Sequence, residues 1–315
     1  MVDGRAHQPP ITNHQSPITS HESPTPIRGS VSRMIKTLSA GAIGVKIASL
    51  EDGIQKSKEF GFDGYEFDAR EVAKRVSESG AAAVVDLFGS AGVVPAVFGL
   101  PVEWRREPDV WEKDLEQLKG LAGAAAAIGC LRTATWVMPG SNDRAFDENW
   151  EFHIARFAPV AKVLAEFGIS LGLEFIGPKT LRDTQKHPFV YKMPDMLKLA
   201  AEIGPNVGLL VDAYHWHTGH GTVADLLALK AQQVVYVHLN DAIPGVPVDE
   251  LMDGTRRLPG ETGVIDLKGF VEALYQIGFE GPAAVEPFKK ELNDLPADAD
   301  RLRLVSASLA STLGR

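Results

Sequence analysis

Eight apolar runs of strand length, alternating with eight amphipathic segments of helix length, predict a single-domain α/β fold: a (β/α)8 TIM barrel over residues 34–315. A glycine turn joins each helix-like segment to the next run, most plainly in GFDGYEFD (61–68), FGISLGLE (167–174), GPNVGLLVD (204–212) and GFEGPAAVE (278–286). Glycine ends a helix because it alone takes the left-handed conformation without a Cβ clash. The later runs also close on side chains able to hold a metal: Glu174, Asp212, His238 and Glu286. An open doubly wound sheet would place a glycine fingerprint between its first strand and helix. SAGAIG (39–44) lies inside the expected strand with no helix start directly after it.

Residues 1–33 are rich in Pro, Ser, Thr and His without an apolar period, and are expected to be a disordered tail. Met34 directly precedes the first strand, so translation starting there is the alternative to a full-length chain. His7, His14 and His21 lie in this tail and receive no catalytic role. Strands are then expected at Leu38–Val45, Gly64–Phe67, Val93–Phe98, Thr133–Val137, Ile169–Phe175, Val207–Val211, Val234–His238 and Ala283–Glu286. Helices are expected at Glu51–Phe60, Ala69–Gly89, Val110–Ile128, Asp147–Phe167, Pro194–Ile203, Thr222–Ala231, Asp266–Ile277 and Asp298–Leu313. In the fourth, Ile154, Phe157, Ala161 and Leu164 share one face at helical spacing.

Of the 315 residues, 44% are apolar and 23% charged, enough for a large core. With 41 acidic against 32 basic residues and no basic stripe, a nucleic-acid partner is not expected. Cys130 is the single cysteine, which excludes an internal disulfide or a cysteine-based zinc site and fits the cytoplasm. No apolar run reaches the roughly 18 residues of a membrane span.

Each candidate ligand has a plain structural reading. Glu174 caps a helix, Asp212 closes a turn, His238 is a core imidazole, Glu286 pairs with Lys289 or Lys290. Jointly they read differently, because three carboxylates converging in one barrel mouth repel unless a cation sits among them. Oxygen and imidazole donors suit one divalent ion, Mn²⁺ first, then Mg²⁺, Co²⁺ or Zn²⁺. His215 faces the same mouth as a substrate contact, and Asp241 is placed to orient the His238 ring. Arg256 and Arg257 are candidates for a substrate hydroxyl or anion. Trp136, Trp104 and Phe98 either wall the pocket against a sugar face or pack the barrel. Glu66 and Glu261 are secondary acids near the rim. The aperiodic segment 176–193 is long enough for a lid, and Lys179, Arg182, Lys186, His187 and Tyr191 are its candidate contacts.

Taken together, LEF with Glu174, VDAYHWH with Asp212 and His215, HLND with His238, LPGETGVID (258–266) and VEP with Glu286 resemble the xylose isomerase-like TIM-barrel superfamily over about residues 36–290. Within it the chain looks most like inosose isomerases and sugar phosphate isomerases or epimerases, with ketose 3-epimerases more distant. The resemblance implies one divalent metal on Glu174, Asp212, His238 and Glu286, His215 on a substrate oxygen, and both glutamates moving protons. The implied reaction is isomerisation or epimerisation of a small ketose, inosose or related polyol ketone through an ene-diolate. A dehydratase-type lyase is the alternative on the same site, and a sugar-binding barrel without turnover is a third reading. The superfamily also holds endonuclease IV, a three-metal DNA repair enzyme. Its extra histidines have no counterpart in YEFDAR (65–70), AVFGLP (96–101) or MDGTRRLPG (252–260). Substrate identity and phosphorylation stay open, as does a homo-oligomer.

Overall fold

The computed structural model describes Met1 and residues 33–315, so the tail expectation for residues 2–32 lies outside the described residues. Eight parallel strands close into a barrel: β1 (Ile35–Leu38), β2 (Gly64–Phe67), β3 (Val94–Gly99), β4 (Arg132–Val137), β5 (Ser170–Phe175), β6 (Val207–Asp212), β7 (Val234–Leu239) and β8 (Pro282–Val285). Each strand pairs with its neighbours in sequence, and β1 closes the ring against both β2 and β8. β5, β6 and β7 are buried on both faces almost throughout, which is why they read as unbroken apolar runs instead of alternating ones.

Side chains of a strand alternate between faces, so an interior residue recurs every second position. Ala134, Leu210, Tyr236 and Ala284 belong to one buried cluster with Ala96 and Val97, and they fill the barrel interior. Two residues further along the same strands come Trp136, Asp212, His238 and Glu286 at the C-terminal mouth. Gly172 holds the corresponding place below Glu174. A Cβ there would stand only 3.1 Å from both the Val235 Cβ and the Leu210 nitrogen, so this position is kept bare by its neighbours.

Three elements differ from expectation by more than a residue or two at their ends. The first strand is Ile35–Leu38, and SAGAIG instead forms a 3-10 turn, Gly41–Ile43, closed by Gly44 at φ +68°. Small apolar residues imitate a strand there, while the true strand carries Lys36, whose ammonium donates to Ser306 Oγ at 3.1 Å. The second helix is two, Ala69–Ser79 and Ala81–Ala91, parted at Gly80, where φ is +83°. Thr222–Ala231 shrinks to Val223–Leu227, capped by Thr222 and Asp225 in a reciprocal box. Beyond these, Asp212 caps a short helix, Ala213–Thr218, that holds HWH. The helix Phe146–Ala165 includes Pro159 and buries Phe157, Ala161 and Leu164 of the expected face, while Ile154 is half-buried.

Candidate metal centre and active site

Glu174, Asp212 and His238 lie at the ends of β5, β6 and β7, and Glu286 directly follows β8. One donor atom from each lies within 4.8 Å of all the others. His238 Nδ1 stands 3.4 Å from Glu174 Oε1, 3.5 Å from Glu286 Oε2 and 3.9 Å from Asp212 Oδ2. Donors about 2.1 Å from a shared ion in tetrahedral array are separated by about 3.4 Å, so the spacing fits one small cation. Glu174 Oε1 and His238 Nδ1 are also buried without a hydrogen-bond partner, the condition a metal relieves.

Arg256 adds a charge that the repulsion argument left out. Its guanidinium is buried, with Nη1 donating to Glu286 Oε2 at 2.8 Å and Asp212 Oδ2 at 3.1 Å, and Nη2 donating to Asp253 Oδ1 at 2.7 Å. Three carboxyl groups, those of Asp212, Asp253 and Glu286, thus share one arginine, and Glu174 adds a fourth to the same cluster, an excess of carboxyl groups that still favours a divalent ion. Asn240 was not foreseen. It is buried and donates Nδ2 to Asp212 Oδ2 at 2.8 Å, fixing that carboxylate. Its place two residues after His238, and so on the same strand face, was the signal available in HLND.

His215 is buried beside the cluster, with Nε2 3.1 Å from Arg256 Nη2 and 4.0 Å from Glu174 Oε1. The Gly177 N–H donates to its Nδ1 at 3.2 Å. Both ring nitrogens face donors, which disfavours an imidazolium, and burial pushes the pKa down to about 3. Burial raises the Glu174 pKa, and His238 opposes it. For Glu286 burial acts in the same upward direction, but His238 and Arg256 outweigh it and hold the carboxyl below its ordinary value. Asp212 Oδ1 accepts from the His215 N–H at 2.9 Å, so the turn-closing reading of Asp212 holds together with its place in the cluster.

Other candidates lie elsewhere. Asp241 does not reach His238. Its carboxylate accepts from the backbone N–H groups of Ala242, Thr262, Gly263 and Ile265, pinning the 262–265 segment. Glu286 pairs with Arg256, while Lys289 pairs with Glu261. Arg257 lies 3.9 Å from Glu291 and is absent from the lining of a cavity of about 230 Å³ formed in part by Trp136, Glu174, His215, Asp253, Arg256 and Glu286. Phe98 is fully buried against Phe67, and Trp104 packs on His153 and Phe157, so both serve barrel packing. The 176–193 segment is tied down by a short helix, Lys179–Arg182, and by pairing of His187–Pro188 with Gly140–Ser141. It lends Ile176 and Leu181 to the cavity, and none of the five polar side chains expected from it.

The family description "Xylose isomerase-like TIM barrel" matches residues 54–307, which include all four cluster residues. The chain belongs to this family. Among its curated relatives, the inosose isomerase of Bacillus velezensis is 28% identical over 140 residues, 44% of this chain and 47% of the relative. The chain thus spans about half the length of the curated relatives it matches most strongly. The solved structure of a xylose isomerase domain protein from Alicyclobacillus acidocaldarius subsp. acidocaldarius is 30% identical, with a TM-score of 0.77 over 89% of this chain and 98% of that one. The IOLI protein, solved with a zinc atom bound, shares the fold at 18% identity, with a TM-score of 0.71 over 90% of this chain and 98% of that one. Among the described residues no helix is long and apolar enough to cross a membrane.

Proposed function

We propose that the chain is a divalent-metal-dependent isomerase or epimerase of a small ketose, inosose or related polyol ketone. The observation that supports this best is the convergence of Glu174 Oε1, Asp212 Oδ2, His238 Nδ1 and Glu286 Oε2 within one cation's reach at the mouth of the barrel. The family membership and the relatives named inosose isomerases agree with it. Zinc in the IOLI structure makes a metal in this fold chemically reasonable, with Mn²⁺ preferred here for the oxygen-rich donor set.

A hydrogen beside a carbonyl is a poor acid, and a divalent cation bound in this site supplies the charge that stabilises the ene-diolate left by its removal. The protein's own groups do the rest. Glu174 and Glu286 extend from β5 and from the end of β8, and either carboxylate takes the proton while the other, or the same one, returns it. Return on the opposite face inverts the centre; return to the adjacent carbon exchanges aldose and ketose. His215, held neutral, is the candidate contact for a substrate oxygen, and Arg256 sets the Asp212 and Glu286 carboxylates at the wall of the same cavity. Trp136 lines that cavity and offers a ring face to a sugar.

The test is a screen of inososes and ketoses in D₂O with the Mn²⁺-loaded full chain, read by mass spectrometry. Deuterium uptake on an intact carbon skeleton supports the isomerase or epimerase reading. Loss of water indicates a lyase. Calorimetric binding without turnover, unchanged in Glu174→Gln and Glu286→Gln, would leave only a sugar-binding barrel.

A further inference from the structure

A second cavity, of about 510 Å³, shares Glu286 with the one that Arg256 lines and is walled in part by the ends of β1 and β2. Its lining includes Glu66, Asp68, His238 and Glu286, and contains no lysine or arginine. His238, buried with Nδ1 unpartnered, belongs to this cavity and to the metal cluster, so the space opens onto the proposed reaction centre. Glu66 is not loose in it. Tyr236, 1% exposed in the barrel interior, donates its hydroxyl to Glu66 Oε2 at 2.9 Å, and the same ring packs edge-on against His238 with centroids 4.7 Å apart. Glu66 Oε1 accepts no hydrogen bond from the described residues.

A carboxylate held by one oxygen, on a residue that lines a space beside the reacting centre, is an acceptor for hydroxyl donors. It is the wrong partner for a phosphate. The cavity nearer Arg256 offers no free cation either, since that guanidinium is already bonded to Asp212, Asp253 and Glu286. We infer that Glu66, positioned by Tyr236, is a specificity residue that binds a hydroxyl of an uncharged polyol ketone and rejects the phosphorylated counterpart. This rests on the proposed isomerase or epimerase reading and narrows its substrate class. Bringing a phosphate dianion beside an ionised carboxylate away from bulk water is a like-charge contact, expected to weaken binding on the order of a hundredfold.

The experiment uses the full chain loaded with Mn²⁺. Calorimetry measures the binding of an inosose and a ketohexose, each beside its monophosphate, and deuterium uptake is scored separately on the same compounds. The wild type is expected to favour the neutral member on the order of a hundredfold. Glu66→Gln, which preserves volume and the Tyr236 contact, is expected to narrow the ratio at least about tenfold with an unchanged melting temperature. Tyr236→Phe should shift the ratio the same way by less. Equal or tighter binding of the monophosphates by the wild type overturns the inference, as does a ratio that Glu66→Gln leaves alone. The wild-type ratio stands as a test even if a variant fails to fold. A neutral preference that Glu66→Gln narrows, without deuterium uptake, supports Glu66 as the selecting residue and removes the isomerase reading. Uptake without that preference removes only the inference, and failure to bind any of the four compounds removes both.

Discussion

Strands β5–β8 supply, at or just past their ends, every member of the candidate metal cluster, and among the described residues β1–β4 supply none. The two halves share one backbone geometry and differ in what their interior positions ask of their surroundings. In the second half each barrel-filling residue is followed two places on by an ionisable group, and each such group needs a compensating partner. Arg256, Asn240 and the Asp212 cap serve that need. In the first half the strand ends are mainly packing. Phe98 and Phe67 pack at a tilt in the core, Trp104 meets Trp136 edge-on, and Glu66 is the polar exception. In the proposed reading one half of the barrel carries the chemistry, and the other forms walls and selects.

That division can be broken by substitution, beginning where the effect is largest. Glu286→Gln and Glu174→Gln should each lower deuterium uptake into substrate by about 10²–10⁴-fold, the range for loss of a proton-transferring group. Retention of near-normal exchange in either variant would remove the glutamates from the reaction. Arg256→Met leaves buried carboxylates without their guanidinium and should cost about 3–5 kcal/mol of stability in metal-free protein. Added Mn²⁺ should restore part of the loss, because an ion that binds only the folded state stabilises it. Urea unfolding with and without Mn²⁺ measures both quantities.

In the opposite half, Phe98→Ala should cost about 3–5 kcal/mol through the cavity it leaves, yet keep the metal stoichiometry of the wild type. Loss of metal in that variant would show that the halves are not separable. A smaller and pH-dependent effect belongs to His153, buried against Phe189 and Trp104 far from the ligands in sequence. Burial pushes its pKa down to about 4 from an ordinary value of 6.5. The unfolded chain therefore takes up a proton across that window while the folded chain does not, and stability falls as pH drops from about 6.5 to about 4. The loss approaches about 3 kcal/mol, and His153→Gln should flatten that part of the profile in thermal melts.

The same contrast explains what the sequence made legible. Glu174, Asp212, His238 and Glu286 were readable because each ends a doubly buried apolar run, so its position on the inner face follows from period two. Asn240 obeyed that parity and was overlooked because an amide carries no ligand chemistry of its own. The roles of Asp253 and Asp241 were not readable, since loop geometry sets their partners: Arg256 for one, four backbone N–H groups for the other. In the first half, small apolar residues in SAGAIG imitated a strand, and the break at Gly80 was hidden inside a continuous helix-forming run. Local propensity was followed in those places, and turn conformation decided the outcome.

The account is tested most directly by calorimetric titration of Mn²⁺ into chelator-stripped full-length chain. It predicts one equivalent bound by the wild type and by Glu66→Gln, and binding weakened at least about a hundredfold in Asp212→Ala and His238→Ala. Absence of binding by the wild type, or an affinity that those two substitutions leave intact, would contradict it.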